Sequence, residues 1–340
     1  MQKRRGQILR SLIQEYILTA SPVSSESLAH KYNLGVSSAT IRNEVAVLEG
    51  EGYVGRPHHS AGAVPSDRGY RSYVESLALD IALLPEERMR IRHQFHQVER
   101  ELDAWGRLAA AILSDMAHNL ALATLPKSGQ SRFKRLELIS VQDLMTLLVL
   151  VLSEASVRQQ LLALEEPVSQ LDLNILGEDL NNAYANLTAE EIMSLSLPLP
   201  VLGEQIRQSV VTLMLTEDAR EFEEPYLEGF SLILGQPEFG RSSRGAQVVA
   251  AVEAGALRNF LLQALAGEDV QVIIGRESQL EALQDCSLVL SPYGISGNLR
   301  GALAVVGPVR MDYDRTIGSI RYLSQVMSEL VSELMGRGLS

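Results

Sequence analysis

Leu34-Gly-Val-Ser-Ser-Ala-Thr-Ile-Arg-Asn-Glu-Val-Ala-Val-Leu-Glu-Gly-Glu-Gly52 is a short helix with marked ends. Ser37 is a natural N-cap, Gly35 supplies a permissive turn before it, and Gly50 and Gly52 are available to stop it. Ile41, Val45 and Leu48 fall within about 60° of one another on a helical wheel and form a narrow apolar stripe. Ala39, Asn43 and Ala46 point the other way, with Thr40 and Arg42 on the flanks. An ordinary solvated helix carries Lys and Glu on such a face. Small residues let a backbone approach closely, Asn can pair bidentately with adenine, and Ala can touch a thymine methyl. Ser37, Ser38, Thr40 and Arg42 near the helix N-terminus can hold phosphates. The pattern therefore predicts a helix that reads a DNA groove, with a plain core helix as the competing reading.

Working outward, Ile8, Leu9, Leu12, Ile13, Tyr16 and Ile17 repeat at helical spacing until Pro22 breaks the run. Ser24 or Ser25 then caps a second helix carrying Leu28, Ala29 and Tyr32. That helix, the Asn33-Leu34-Gly35 turn and the third helix have the order of a helix-turn-helix. Downstream, Tyr53–Pro57 and Ala63–Pro65 read as two strands joined through His58-His59-Ser60-Ala61-Gly62, the pattern of a wing. Arg56, His58, His59 and Ser60 are its candidate DNA contacts. Lys3, Arg4, Arg5 and Arg10 are either further phosphate contacts or solvated charge at the start of the chain.

Pro22-Val23-Ser24-Ser25, Gly35–Glu44, Leu48–Tyr53, Pro57-His58 with Ser60-Ala61-Gly62, Pro65, Asp67 and Gly69-Tyr70-Arg71 closely resemble the heat-inducible transcription repressor family, HrcA. Far downstream, Gly307-Pro-Val-Arg-Met-Asp-Tyr313 resembles that family's C-terminal motif, and Glu228-Gly229 with Pro237-Glu238-Phe239 its middle. Glu26, His59 and Ala63 depart from the family pattern, which usually has Arg, Thr and a basic residue there. Those departures imply weaker phosphate holding by the second helix and the wing.

Net charge is −12, which runs against DNA binding until it is divided along the chain. Up to Glu75 there are nine Lys and Arg against seven acidic residues; the remainder has 21 against 35. An acidic body repels DNA everywhere except at a tip of opposite sign. The 340 residues predict two or three domains, and no apolar run approaches the length of a membrane span, so a cytoplasmic protein is expected. A lone Cys286 in an apolar stretch reads as a buried small hydrophobe.

After a short helix through Tyr70, Tyr73, Val74 and Leu77, the positions Ile91, Phe95, Val98, Leu102, Trp105, Ala109, Ile112 and Met116 predict one long helix. Its 3.5-residue seam suits a partner helix, from another subunit or from the protein's own core. Strand patterns follow at Arg135–Val141, Leu144–Leu152 and Val157–Leu164, then helices between Leu171 and Leu213, and a hairpin or strand at Leu227–Leu234. Further strands are expected at Val270–Ile274, Ser287–Leu290 and Gly301–Val306, and a final helix from Tyr313 to Met335. Strands on both sides of a helical interruption predict one sheet domain split by an insertion.

The expected fold class is thus multidomain α+β: an N-terminal winged helix-turn-helix (1–75), connecting helices (76–130), and an antiparallel-sheet domain (131–165 and 245–340) interrupted at 166–244. The resemblance implies that the sheet domain is GAF-like and that the insertion is a dimerisation region. It also implies a homodimer that binds an inverted-repeat operator in double-stranded DNA ahead of GroE- and DnaK-type chaperone genes, is released on heat shock, and is reactivated by the GroE chaperonin.

No Gly-x-x-x-x-Gly-Lys, His-Glu-x-x-His or Cys pair is present. Asp312 and Asp314 read as helix-start acids, and His93, His96 and His118 as polar-face residues. No enzyme activity, cofactor or metal is expected. A small-molecule sensor whose pocket includes Ser291–Gly297, or a head that binds only protein, would be the alternatives.

Overall fold

The computed structural model describes residues 3–58, 61–77, 83–98, 101–128, 131–152, 156–219, 224–240, 244–295 and 299–337. The chain begins with three helices, α1 (Lys3–Thr19), α2 (Ser25–Lys31) and α3 (Ser38–Gly50). Each follows from local chemistry. Ile8, Leu9, Leu12 and Ile13 form the buried stripe of α1, the Ser24 hydroxyl accepts from the amide of Ser27 at the start of α2, and Ser37 does the same for Thr40 in α3. Strands β1 (Val54–Gly55) and β2 (Val64–Pro65) pair antiparallel. Val23 pairs with Ala63 beside them. At Gly62 a Cβ would lie 2.6 Å from the Val23 carbonyl, so only glycine lets these segments approach. The short helix α4 (Asp67–Ser76) closes the head and is capped by Ser66.

Helices α5 (Pro85–Gln97) and α6 (Leu102–Ala117) follow. They correct the expected single helix from Ile91 to Met116, because Val98 and Glu101 both adopt extended backbone. The seam is buried nonetheless. Ile91, Phe95, Trp105, Ala109, Ile112 and Met116 lie in the protein's own interior, and α6 packs on the final helix α13 introduced below.

Next come β3 (Leu120–Ala123), β4 (Lys127–Ser128), β5 (Phe133–Gln142), β6 (Met145–Leu152), β7 (Val157–Ala163), α7 (Gln170–Tyr184), α8 (Ala189–Ser194) and α9 (Val201–Ala219). The chain then gives β8 (Tyr226–Glu228), α10 (Phe230–Leu234), α11 (Arg244–Glu253), α12 (Arg258–Ala266), β9 (Gln271–Ile274), β10 (Cys286–Gly294), β11 (Leu299–Pro308) and α13 (Tyr313–Arg337). The fold is mixed α+β with antiparallel sheets. Among the described residues no single helix is long and apolar enough to cross a membrane.

Two compact units result. The first comprises Met1–Pro126, Glu224–Gly294 and Gly301–Ser340. Its main sheet runs β8-β3-β11-β10-β9, with Leu120–Ala123, Cys286–Tyr293 and Leu299–Pro308 almost wholly buried. Helix α13 lies on β10 and buries Ile317, Ile320, Leu323, Val326, Met327 and Val331.

The second unit comprises Lys127–Glu223 and Ile295–Arg300. Its sheet is β5-β6-β7, backed by α7, α8 and α9 through Leu136, Leu148, Leu150, Leu173, Leu180 and Ile206. Side chains of α7 occupy the outer edge of β5: Asn181 accepts from the Leu136 amide at 2.7 Å and donates to its carbonyl at 3.0 Å, and Gln170 serves Ser140 and Leu138 in the same way. Such covering removes one template for stray strand pairing.

This arrangement corrects the expectation that 131–165 belongs to the same sheet as 245–340. The excursion leaves at residue 126 and returns at 224, before the three strands and not after them. The two strands that flank it, β3 and β8, pair with each other, so the main sheet closes without β5–β7. The helices expected between Leu171 and Leu213 are α7, α8 and α9, with α7 followed by a turn where Asn186 has φ 62°.

Candidate nucleic-acid interface

Helix α3 is held by its buried stripe. Ile41, Val45 and Leu48 are 0–3 % exposed, each contributing about 1.5–3 kcal/mol from apolar burial. Opposite them Ala39, Arg42, Asn43 and Ala46 are exposed, and Thr40 is half-buried. Two of the candidate hydroxyls are partly committed, since the Ser37 Oγ accepts from the Thr40 amide at 3.3 Å and lies 3.1 Å from the Thr40 Oγ1. Ser38 is half-buried in the first turn.

The charges around α3 divide into those spent internally and those presented. Arg5 donates to Glu44 at 3.0 Å and to Glu51 at 2.8 Å, tying α1 to the middle and the C-terminal end of α3. The hydrogen bond to Glu44 and the nearby carboxylates raise its pKa above the ordinary arginine value. Arg10 lies 5.9 Å from the centre of the Tyr73 ring. Of the four cations at the chain start, these two therefore serve the head's own packing. Arg56 sits 3.1 Å from Glu49 and is half-buried. Arg42 makes no such pair among the described residues, and its guanidinium stands free beside Asn43.

At the strand tip, His58 is exposed, while His59 and Ser60 lie outside the described residues. Ala63 is 3 % exposed, so that position presents no charge at the surface. Glu26 stands exposed in the first turn of α2, where it suits the helix dipole and repels a phosphate. Arg68, which the sequence did not single out, donates to the Glu51 carbonyl at 2.8 Å and stacks 4.6 Å over the Tyr53 ring. It braces the hairpin against the end of α3.

The stretch expected to line a ligand pocket, Ser291–Gly297, is described as far as Ile295. Ser291 and Tyr293 are buried in β10, and the Tyr293 hydroxyl donates to the Thr124 carbonyl at 2.6 Å. Ser296 and Gly297 lie outside the described residues. Among the described residues, small hollows of about 110 Å³ lie beside Phe95, Trp105 and Leu330 and of about 210 Å³ beside Ile91, Leu108 and Ile112. Among the described residues no three His, Cys, Asp or Glu side chains gather as a metal-binding group.

Comparison with known proteins narrows the reading. The family described as HrcA protein C terminal domain matches residues 104–317. The heat-inducible transcription repressor HrcA of Dehalococcoides mccartyi is 42% identical over 331 residues, covering 97% of this chain and 96% of that protein. The protein of the same name from Herpetosiphon aurantiacus is 41% identical over 344 residues, covering 99% and 97%. A crystal structure of a hypothetical protein aligns over 98% of both chains with a TM-score of 0.60 at 22% identity, a likeness of fold alone.

Proposed function

The chain belongs to the HrcA family of heat-inducible transcription repressors, and from that premise we propose that its N-terminal head is a winged helix-turn-helix that places α3 in the major groove of an inverted-repeat operator. The observation that carries this reading is the outer face of α3: Ala39, Asn43 and Ala46 exposed together, with unpaired Arg42 at their side and the apolar stripe fully turned away. In the proposed complex Asn43 reads a base edge, Arg42, Ser37, Ser38 and Thr40 hold phosphates, and Arg56, His58, His59 and Ser60 lie along the backbone beside the wing.

The operator precedes chaperone genes, the repressor leaves it on heat shock, and a GroE-type chaperonin restores activity. The body sheet β8-β3-β11-β10-β9 is the GAF-like domain. A two-fold operator calls for a homodimer. Support for one comes from the second unit, where Thr146, Leu148, Leu150 and Leu152 point into the core and Met145, Leu147, Val149 and Val151 point the other way. In register beside them stand Ile139, Val157 and Leu161, which are 46–56 % exposed. An apolar sheet face of this extent is the mark of an interface, and we assign it to a second copy of the chain.

A mobility-shift titration of the full-length protein tests the reading directly. The expected result is tight, salt-dependent binding to an inverted repeat, and weak binding to a duplex in which one half-site is scrambled. Equal affinity for both duplexes, or no shift at low salt, would overturn it.

A further inference from the structure

Three segments distant in sequence, Asp67–Tyr73, Gln236–Glu238 and Val309–Asp314, meet where the head rests on the body of the first unit. Arg71 donates through Nε to the Glu277 carboxylate at 2.9 Å and through Nη2 to the other oxygen of that carboxylate, and also to the Val272 carbonyl at 2.7 Å. Tyr70 is buried with its ring 5.8 Å from that of Tyr313. The Tyr73 hydroxyl donates to Asp314 at 3.0 Å. Asp67 accepts from the Arg276 amide at 3.2 Å. It does so beside Gly275, whose φ is 53° and where a Cβ would lie 2.6 Å from the carboxylate.

On the other side Arg310 donates to the Ile17 carbonyl at the end of α1, to Glu238 and to Gln236, at 3.1, 2.5 and 2.9 Å. Its side chain is only 14% exposed. These hydrogen bonds and the ring pair reach the body from α1 and α4. None of them involves α3, whose Ala39, Arg42, Asn43 and Ala46 are exposed.

A lone, partly exposed ion pair holds little. Here, in contrast, a bidentate Arg71, a largely buried Arg310 with three acceptors, a buried ring pair and a backbone clamp act on two different helices of the head. Translation and rotation of the head on the body are both opposed. Helix α4 is in turn keyed to the hairpin, because a Cβ at Gly69 would lie 2.2 Å from the Tyr53 carbonyl. Arg5 fixes α1 to α3. The direction in which α3 points is thereby set by the body.

We propose that Arg71 and Arg310 are positioning residues for operator recognition, locking the head to the body of its own unit so that the spread of separations at which a dimer presents its two α3 helices is narrowed. This rests on the repressor reading above. Two rigidly held heads gain from simultaneous engagement only at the half-site spacing they match, by about a hundredfold over mismatched spacings, whereas heads on a loose tether gain less but accept many spacings.

The test has two arms. In the first, nitroxide labels on H30C and A282C report the head-to-body distance by pulsed EPR. Both positions are exposed, and Cys286 stays unlabelled because it is buried with its thiol pushed up to about 12. Wild type should give one narrow distribution, and R71E and R310Q broad ones. In the second arm, affinity is measured for inverted repeats whose half-sites are moved apart base pair by base pair. Both variants should lose the spacing preference while keeping affinity for non-specific DNA, and adding E277R to R71E should restore narrow distance and spacing preference together.

Should either variant lose protection of α3 amides from hydrogen exchange, E277Q and R310K replace them with little change in size. Equally narrow distributions in all variants, or broad ones with an unaltered spacing preference, would overturn the proposal. A wild type that binds no inverted repeat at any spacing would sink the repressor reading instead, leaving the distance arm to judge the joint.

Discussion

Asn43 is the most informative single side chain, because it is exposed on the one face of α3 that carries neither Lys nor Glu. If it reads a base edge, N43A should weaken operator binding by about 1–3 kcal/mol and leave non-specific binding nearly unchanged. Competitive titration against scrambled duplex measures both, and equal losses on the two DNAs would reduce Asn43 to a structural role. In the second unit, Glu217 accepts from Arg158 at 2.6 and 2.7 Å and from Ser156 at 3.1 Å. Burial pushes its carboxyl up, but the Arg158 hydrogen bonds and charge outweigh that and hold it below the usual carboxylate range. A depressed folded pKa means stability that is present above the unfolded value of about 4.3 and is lost as pH falls through the folded one. Hydrogen-exchange protection of β6, corrected for intrinsic rates, should therefore fall between roughly pH 5 and pH 3 in wild type and fall less in E217Q. Parallel curves for the two proteins would remove Glu217 from the acid response.

At the scale of elements, L161K is expected to separate dimerisation from folding. Leu161 is 56% exposed at the edge of the apolar sheet face, where a polar substitution changes stability within about 0.5 kcal/mol; placing an unpaired ammonium in an interface costs several times that. Sedimentation velocity should show monomer at concentrations where wild type is dimeric, with weakened operator binding to match. An unchanged dimer would move the interface elsewhere. The alternation in β6 that suggests this face was legible in Met145-Thr-Leu-Leu-Val-Leu-Val-Leu152 as a strand, but not as a two-faced one, because its outer face is as apolar as its inner one. Helix α3, its cap and its stripe were legible because caps and 3.6-residue periodicity are local. Strand β3 was not: Leu120-Ala-Leu-Ala123 is built of good helix formers and continues the apolar content of α6, and only its partners β8 and β11 make it a strand. The joint residues Arg71, Glu277 and Arg310 were invisible as a set for a similar reason, since hydrogen-bonded partners two hundred residues apart leave no periodic trace.

For the whole molecule, the question is how heat could remove the repressor from its operator. In the main sheet β3 pairs with β8 only after Lys127–Glu223 of the second unit has intervened, and with β11 later still. At equilibrium this interruption costs little, because each doubling of a closed loop adds only about 0.6 kcal/mol. Loop entropy alone therefore does not make the fold heat-labile. Kinetics is the stronger effect: pairings of such high sequence separation form slowly, and the apolar strands Leu120–Ala123, Met145–Leu152 and Leu299–Pro308 stay exposed to other chains meanwhile. The head, built from local helices, should fold early. After a heat step, pulse-labelling exchange on the refolding full-length chain should show α3 amides protected before those of β3 and β11. Unassisted refolding should lose much of the chain to aggregation, and a GroE-type chaperonin with ATP should raise soluble yield and operator binding in proportion, while leaving the midpoint of the equilibrium transition unchanged. Quantitative unassisted refolding, or protection of β3 ahead of α3, would sink this account and return the temperature response to the equilibrium stability of the head.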